Sequence, residues 1–241
     1  MPRVVACTLL LLAALGIGQA PGCPARAADA LLLGTLERSA APDDTVPQWR
    51  RVQAAIARER PLLDACAAQA NRCPEQAATW LAFLDGLRAA SPLEQVRAVH
   101  RFANAWPYRS DKEVFGRSDY WASPLEFFAH AGDCEDFAIA KYVSLRRLGF
   151  APELLRIVVL EDTVRRLAHA VLTVRLGGKV LVLDNLAEEV VPQAQLAHYV
   201  PYYSLNELGH WQHAVPTRDL AAGNEGEPPA AASQMRERSA R

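Results

Sequence analysis

Apolar positions follow helical spacing in the first part of the chain and strand spacing further on. From Gln48 to Arg60 and from Glu75 to Ala90 the pattern is helical, with Trp80, Phe83, Leu84 and Leu87 on one core-facing stripe. Ser91-Pro92-Leu93-Glu94 reads as a helix start, with a capping serine, a proline at the first helical position and a glutamate that can close a capping box. That helix should run through Val96, Val99 and Phe102. Tyr108 to Tyr120 is polar and irregular. Glu135 to Leu148 is apolar except at Lys141, Ser144, Arg146 and Arg147, which predicts a mostly buried helix with one solvated stripe, stopped by Gly149. Strand patterns follow at Leu154–Leu160 and Ala168–Leu176, and Gly177-Gly178 is a two-residue hairpin turn that returns through Lys179–Leu186. Helices first and antiparallel strands last predict an α+β fold.

The two ends read differently. Arg3 precedes an apolar run from Val4 to Ile17, and Ala25-Arg26-Ala27 has the small-x-small form of a signal-peptide cleavage site. Residues 1–27 are therefore expected to be a cleavable export signal. The run is too short to span a bilayer, and Cys23 lacks the flanking residues of a lipid-modified cysteine. Residues 28–47 read as a flexible lead-in, 48–217 as one domain, and 218–241 as a disordered tail rich in Ala, Gly, Glu, Pro and Arg. A net charge of -1 provides no basic field for nucleic acid. No other segment is long and apolar enough to cross a membrane, so an exported, periplasmic protein without a membrane span is expected.

Export changes the meaning of the cysteines. The mature chain would keep Cys66, Cys73 and Cys134. In an oxidising compartment Cys66 and Cys73 are close enough in sequence to bridge, which leaves Cys134 as a free thiol. Cys134 starts the apolar helix, where unpaired N–H groups and the helix dipole favour a thiolate. Its neighbours Asp133, Glu135 and Asp136 oppose this, because negative charge raises a thiol pKa. The hairpin supplies partners. A turn at Gly177-Gly178 sets Arg175 opposite Val180, Val171 opposite Asp184 and His169 opposite Leu186. His169 and Asp184 then become diagonal neighbours on one face, about 7–8 Å apart at Cα. The spacing lets Asp184 orient His169, and His169 deprotonate Cys134. Zinc motifs are lacking, and the acid trio offers hard oxygen ligands that suit calcium, although helix capping is the simpler account on spacing alone.

The blocks Asp119-Tyr120-Trp121-Ala122-Ser123-Pro124, Gly132-Asp133-Cys134-Glu135-Asp136-Phe137-Ala138-Ile139-Ala140-Lys141-Tyr142, His169-Ala170-Val171-Leu172, Val182-Leu183-Asp184-Asn185 and Tyr203-Ser204-Leu205-Asn206 with Trp211 occur in this order. Together they resemble the LapG-type bacterial transglutaminase-like cysteine proteases, from about Gln48 to Trp211. The resemblance implies a papain-like fold in which a helical lobe presents Cys134 and a sheet presents His169 and Asp184. It implies calcium held by Asp133, Glu135 and Asp136. It also implies a periplasmic endopeptidase that cuts a large repeat-containing surface adhesin near its N-terminus, at a paired-alanine site, and so controls biofilm attachment. An inner-membrane cyclic di-GMP receptor would be its sequestering partner. Two other functions fit the same residues: a transglutaminase-type acyltransferase, and a calcium-responsive binding module without turnover.

Overall fold

The computed structural model describes residues 31–41, 46–68 and 73–216. The expected signal peptide and tail lie outside the described residues, as does part of the lead-in. After one short strand, six α-helices follow among the described residues: α1 (Pro47–Ala68), α2 (Glu75–Gly86), α3 (Pro92–Asn104), α4 (Asp111–Phe115), α5 (Pro124–His130) and α6 (Cys134–Arg147). The capping box expected at Ser91 is formed, with the Ser91 N–H donating to Glu94 Oε2 at 2.9 Å. The same tetrapeptide recurs as Ser123-Pro124-Leu125-Glu126 and starts α5 in the same way. Chain chemistry, not tertiary accident, sets both helix starts.

The strands are β1 (Leu36–Ser39), β2 (Leu155–Asp162), β3 (Leu167–Leu176), β4 (Lys179–Leu183), β5 (Val191–Pro192), β6 (Tyr199–Asn206) and β7 (Gly209–Ala214). They form an antiparallel sheet in the order β1-β7-β6-β2-β3-β4-β5. The β3–β4 register follows the Gly177-Gly178 turn as expected, with Arg175 opposite Val180 and Leu172 opposite Leu183. Pairing stops at Leu183, so Asp184 begins the loop beyond the strand. Fold class is thus α+β, as the hydrophobic patterning indicates.

One face of the sheet packs on the helices through Ile157, Leu172, Leu155, Ile139, Trp80 and Phe127. Each such fully buried side chain contributes roughly 1.5–3 kcal/mol. A smaller core of Leu32, Val158, Leu160, Val171, Val182 and Tyr199 lies on the other side. The Cys66–Cys73 disulfide closes a short loop between α1 and α2, a restraint worth about 2–3 kcal/mol. Among the described residues, no helix is long and apolar enough to cross a membrane.

Three expectations need correction. The stretch read as a flexible lead-in contributes β1, which pairs with β7. Leu32 is buried in the smaller core, and Glu37 bonds Arg156 at 2.9 Å and Ser204 Oγ at 2.8 Å, so side chains tie this segment down. The solvated stripe of α6 is not solvated at Lys141 or Ser144, which are both fully buried. That helix packs against β3 on one side and α3 and α5 on others, so no broad face is left for water. Finally, the segment Tyr108–Tyr120 is not wholly irregular, because Ser110 and Glu113 form a capping box that starts α4.

Candidate active site

Two structural elements supply the chemistry: the N-terminus of α6, and the open end of the β3–β4 hairpin. Cys134 is the first residue of α6, half-buried, and the free thiol among the described cysteines. The Cys134 thiol donates to Glu135 Oε2 at 2.9 Å, while the Ala170 N–H of β3 counters the acids by favouring the thiolate. The helix that Cys134 starts packs against β3, the strand that carries His169. Burial first, and then the Glu135 and Asp133 charges, push the thiol pKa well up. The opposing carboxylate effect expected from sequence is present.

His169 and Asp184 are 3% and 2% exposed. His169 Nε2 lies 2.8 Å from Asp184 Oδ1, so a hydrogen bond joins the two residues that the sequence pattern set near each other, although Asp184 lies just past the paired part of β4. A carboxylate accepts only, which assigns the proton to Nε2 and leaves the Nδ1 lone pair free. The Leu186 N–H also donates to Asp184 Oδ1 at 2.9 Å, and the Tyr199 hydroxyl donates to Oδ2. Burial pushes the Asp184 pKa up, but these partners and the His169 ring outweigh it and hold it down at about 2. Tyr199 was not anticipated: it comes from β6, whose strand pattern carries no sign of this contact.

The acids beside Cys134 divide into two groups. Asp133 and Asp136 approach Asp111 of α4, with one oxygen of each carboxylate within 4.8 Å of the others. Glu135 instead faces the thiol and Asp133. Asp136 accepts from the Ala122 N–H at 2.5 Å and the Asp133 N–H at 3.2 Å. Gly132 makes room for it, since a Cβ there would lie 2.0 Å from Asp136 Oδ2. Asp111 accepts from the Tyr120 N–H through Oδ2, while its buried Oδ1 has no hydrogen-bond partner among the described residues.

Burial, followed by neighbouring carboxylates, pushes Asp111 to about 6 and Asp136 to about 8; Asp133 is raised too. Three converging carboxylates and an orphaned acidic oxygen fit a hard divalent cation such as calcium. Asp111 is the ligand candidate that sequence reading missed. Its only local signal was its place directly after Ser110, at the start of a capping box.

Lys141 lies deeper in α6, with Nζ 3.4 Å from the Leu183 carbonyl oxygen. Burial pulls its pKa down to about 7, against the pull of Asp184.

The profile of the family described as bacterial transglutaminase-like cysteine proteinase matches residues 60–218. No curated protein matches the chain. Calcium-bound LapG of Legionella pneumophila is 27% identical over 73% of this chain and 98% of that one, with a TM-score of 0.55. The EGTA-treated form is 30% identical over 67% and 87%, also at 0.55.

Proposed function

The chain belongs to the bacterial transglutaminase-like cysteine proteinase family, and we propose that it is a calcium-dependent endopeptidase using Cys134, His169 and Asp184 as its catalytic triad. The supporting observation is the buried His169–Asp184 hydrogen bond at 2.8 Å, together with a free thiol at the start of the helix that packs on the His169 strand. In the proposed reaction His169 Nδ1 takes the thiol proton as Sγ attacks the substrate carbonyl carbon. Asp184 stabilises the imidazolium through Nε2–H. The tetrahedral oxyanion is held at the N-terminus of α6, where backbone N–H groups are unpaired by the helix ladder. His169 then protonates the leaving amine as the C–N bond breaks. Water, deprotonated by the same nitrogen, hydrolyses the thioester and regenerates the thiol.

Asp111, Asp133 and Asp136 would hold the calcium ion. When bound, it supplies positive charge that offsets the carboxylates raising the Cys134 pKa. Glu135, grouped with Asp133 and Asp136 on sequence, is better suited to the thiol side of the cluster. The calcium-bound form of the Legionella relative supports calcium as the ion.

The finer reading follows the family likeness. The substrate is a large repeat-containing adhesin, cut near its N-terminus at an alanine pair in the periplasm, which controls biofilm attachment. An inner-membrane cyclic di-GMP receptor sequesters the protease, which reaches the periplasm through a cleavable signal at residues 1–27. The domain bounds of 48–217, with a tail at 218–241, belong to the same reading, extended at the N-terminus by β1.

The decisive experiment compares the mature protein with its Cys134→Ala variant on the N-terminal region of such an adhesin, with calcium present. Wild-type cleavage and its abolition in a folded Cys134→Ala protein are expected. Cleavage by Cys134→Ala would overturn the thiol mechanism, and an uncut adhesin alongside cleaved alanine-pair peptides would overturn the substrate alone.

A further inference from the structure

A buried lysine is tolerated only where something answers its charge. Lys141 is 0% exposed, and its hydrogen bond goes to the Leu183 carbonyl oxygen at 3.4 Å. Leu183 ends β4, so that carbonyl belongs to the peptide unit leading into Asp184. From α3, Asn104 Nδ2 holds the Asp184 carbonyl at 3.1 Å and the Ala187 carbonyl at 3.0 Å. His100 Nε2 bonds the Ala187 and Glu188 carbonyls, each at 3.1 Å. Helices on the core side thus hold the backbone on both sides of the Asp184 carboxylate.

The charges around Lys141 are few. The Phe137 ring lies 5.7 Å from Nζ, and His100 shares the same neighbourhood. Asp184 is the carboxylate that acts on Lys141. Asp184 accepts from His169, Leu186 and Tyr199, of which only His169 can carry a positive charge. Arg165 also acts on Asp184, but it is bound to Asp162 at 2.7 Å and its side chain is 48% exposed.

We propose that Lys141 is a positioning residue for the triad: it anchors the Leu183 carbonyl and serves as the buried counter-charge of Asp184 while His169 is neutral. The proposal rests on the thiol-protease reading. Before the thiol proton moves, the imidazole is neutral and Asp184 has no charged partner among its hydrogen-bond donors. The Lys141 ammonium, held at the Leu183 carbonyl next to Asp184, fills that role without donating to the carboxylate oxygens that orient His169.

The test is a double-mutant cycle on the mature chain in calcium, using Lys141→Met, Asp184→Asn and the two combined. Lys141→Met keeps most of the length of the side chain and removes its charge. On a quenched peptide carrying an alanine pair, kcat should fall about 10²-fold, as misplaced catalytic groups do, while KM stays within about twofold. In thermal melts the double variant should lose clearly less than the sum of the two single losses, because neither charge is then left buried alone. Additive losses, or an unchanged kcat in Lys141→Met, would overturn the proposal. If Lys141→Met alone does not fold, a folded double variant supports the counter-charge and an unfolded one refutes it. A wild type that cleaves no such peptide would defeat the protease reading, while the melting cycle still reports the coupling.

Discussion

Two groups of carboxylates lie at the ends of the same machinery and meet opposite treatment. Asp184 receives the His169 ring, the Leu186 N–H and the Tyr199 hydroxyl, and its pKa is held at about 2. Asp111, Asp133 and Asp136 are also buried or half-buried, but face one another, and their pKa values rise. Burial penalises both groups. The difference lies in compensation: the donors and the His169 ring outweigh burial at the first site, whereas at the second the backbone N–H donors and the Arg51 charge acting on Asp111 do not. A self-sufficient carboxylate suits an orienting role that must persist through turnover. An uncompensated cluster suits a cation that arrives from solution, and under the proposed function the thiol would depend on that cation.

The sharpest way to break this comparison is to remove the compensation at the satisfied site. Asp184→Asn should lower kcat by about 10⁴-fold, because the amide can no longer orient the imidazole tautomer or stabilise the imidazolium. Single-turnover cleavage with calcium present would measure it. A loss below about tenfold would mean that the well-paired carboxylate is only structural.

A smaller effect is expected at the unsatisfied site. Asp111→Asn should weaken calcium binding by at least about tenfold and lower the melting temperature of the calcium-loaded protein. Titration calorimetry would read the affinity directly. Calcium binding unchanged by this substitution would remove Asp111 from the ion site. A chelator that left both cleavage and melting untouched would reduce the cluster to helix capping.

These two sites were unequally legible in the sequence, for a physical reason. His169 lies on a hairpin whose two-residue turn fixes the register, and Asp184 directly follows the last paired residue, Leu183, so local chemistry brought the two near each other. Asp133 and Asp136 were visible because a helix start brings them together. Asp111 reaches them through the Tyr108–Gly132 bridge, where the Arg109 N–H donates to the Gly132 carbonyl at 2.8 Å, a pairing that no spacing rule encodes. Lys141 was misread for a related reason. A lysine in an apolar helix ordinarily marks the wet face, and only the surrounding β3, α3 and α5 deny this one its water. The pairing of β1 with β7 was hidden too, since its anchor is the contact of Glu37 with Arg156.

A last effect, read in stability and not in activity, separates the two carboxylate sites through pH. A group whose folded pKa is depressed contributes stability above its unfolded value and loses it as pH falls through the folded value. For Asp184 those values are 3.8 and about 2. Its contribution should therefore be complete above about pH 4 and fade as pH drops towards 2. The shift corresponds to about 2 kcal/mol, treated as an order of magnitude. Urea unfolding of wild type and Asp184→Asn at a series of pH values from about 2 to 5 would isolate it, because other carboxylates titrate in both proteins and cancel. The stability gap between the two should be widest near pH 5 and narrow by about 2 kcal/mol towards pH 2. A gap that stays constant across this range would mean that Asp184 gains nothing from being ionised in the fold. The donors around it would then be positioning a neutral acid, and the contrast with the acidic cluster would collapse.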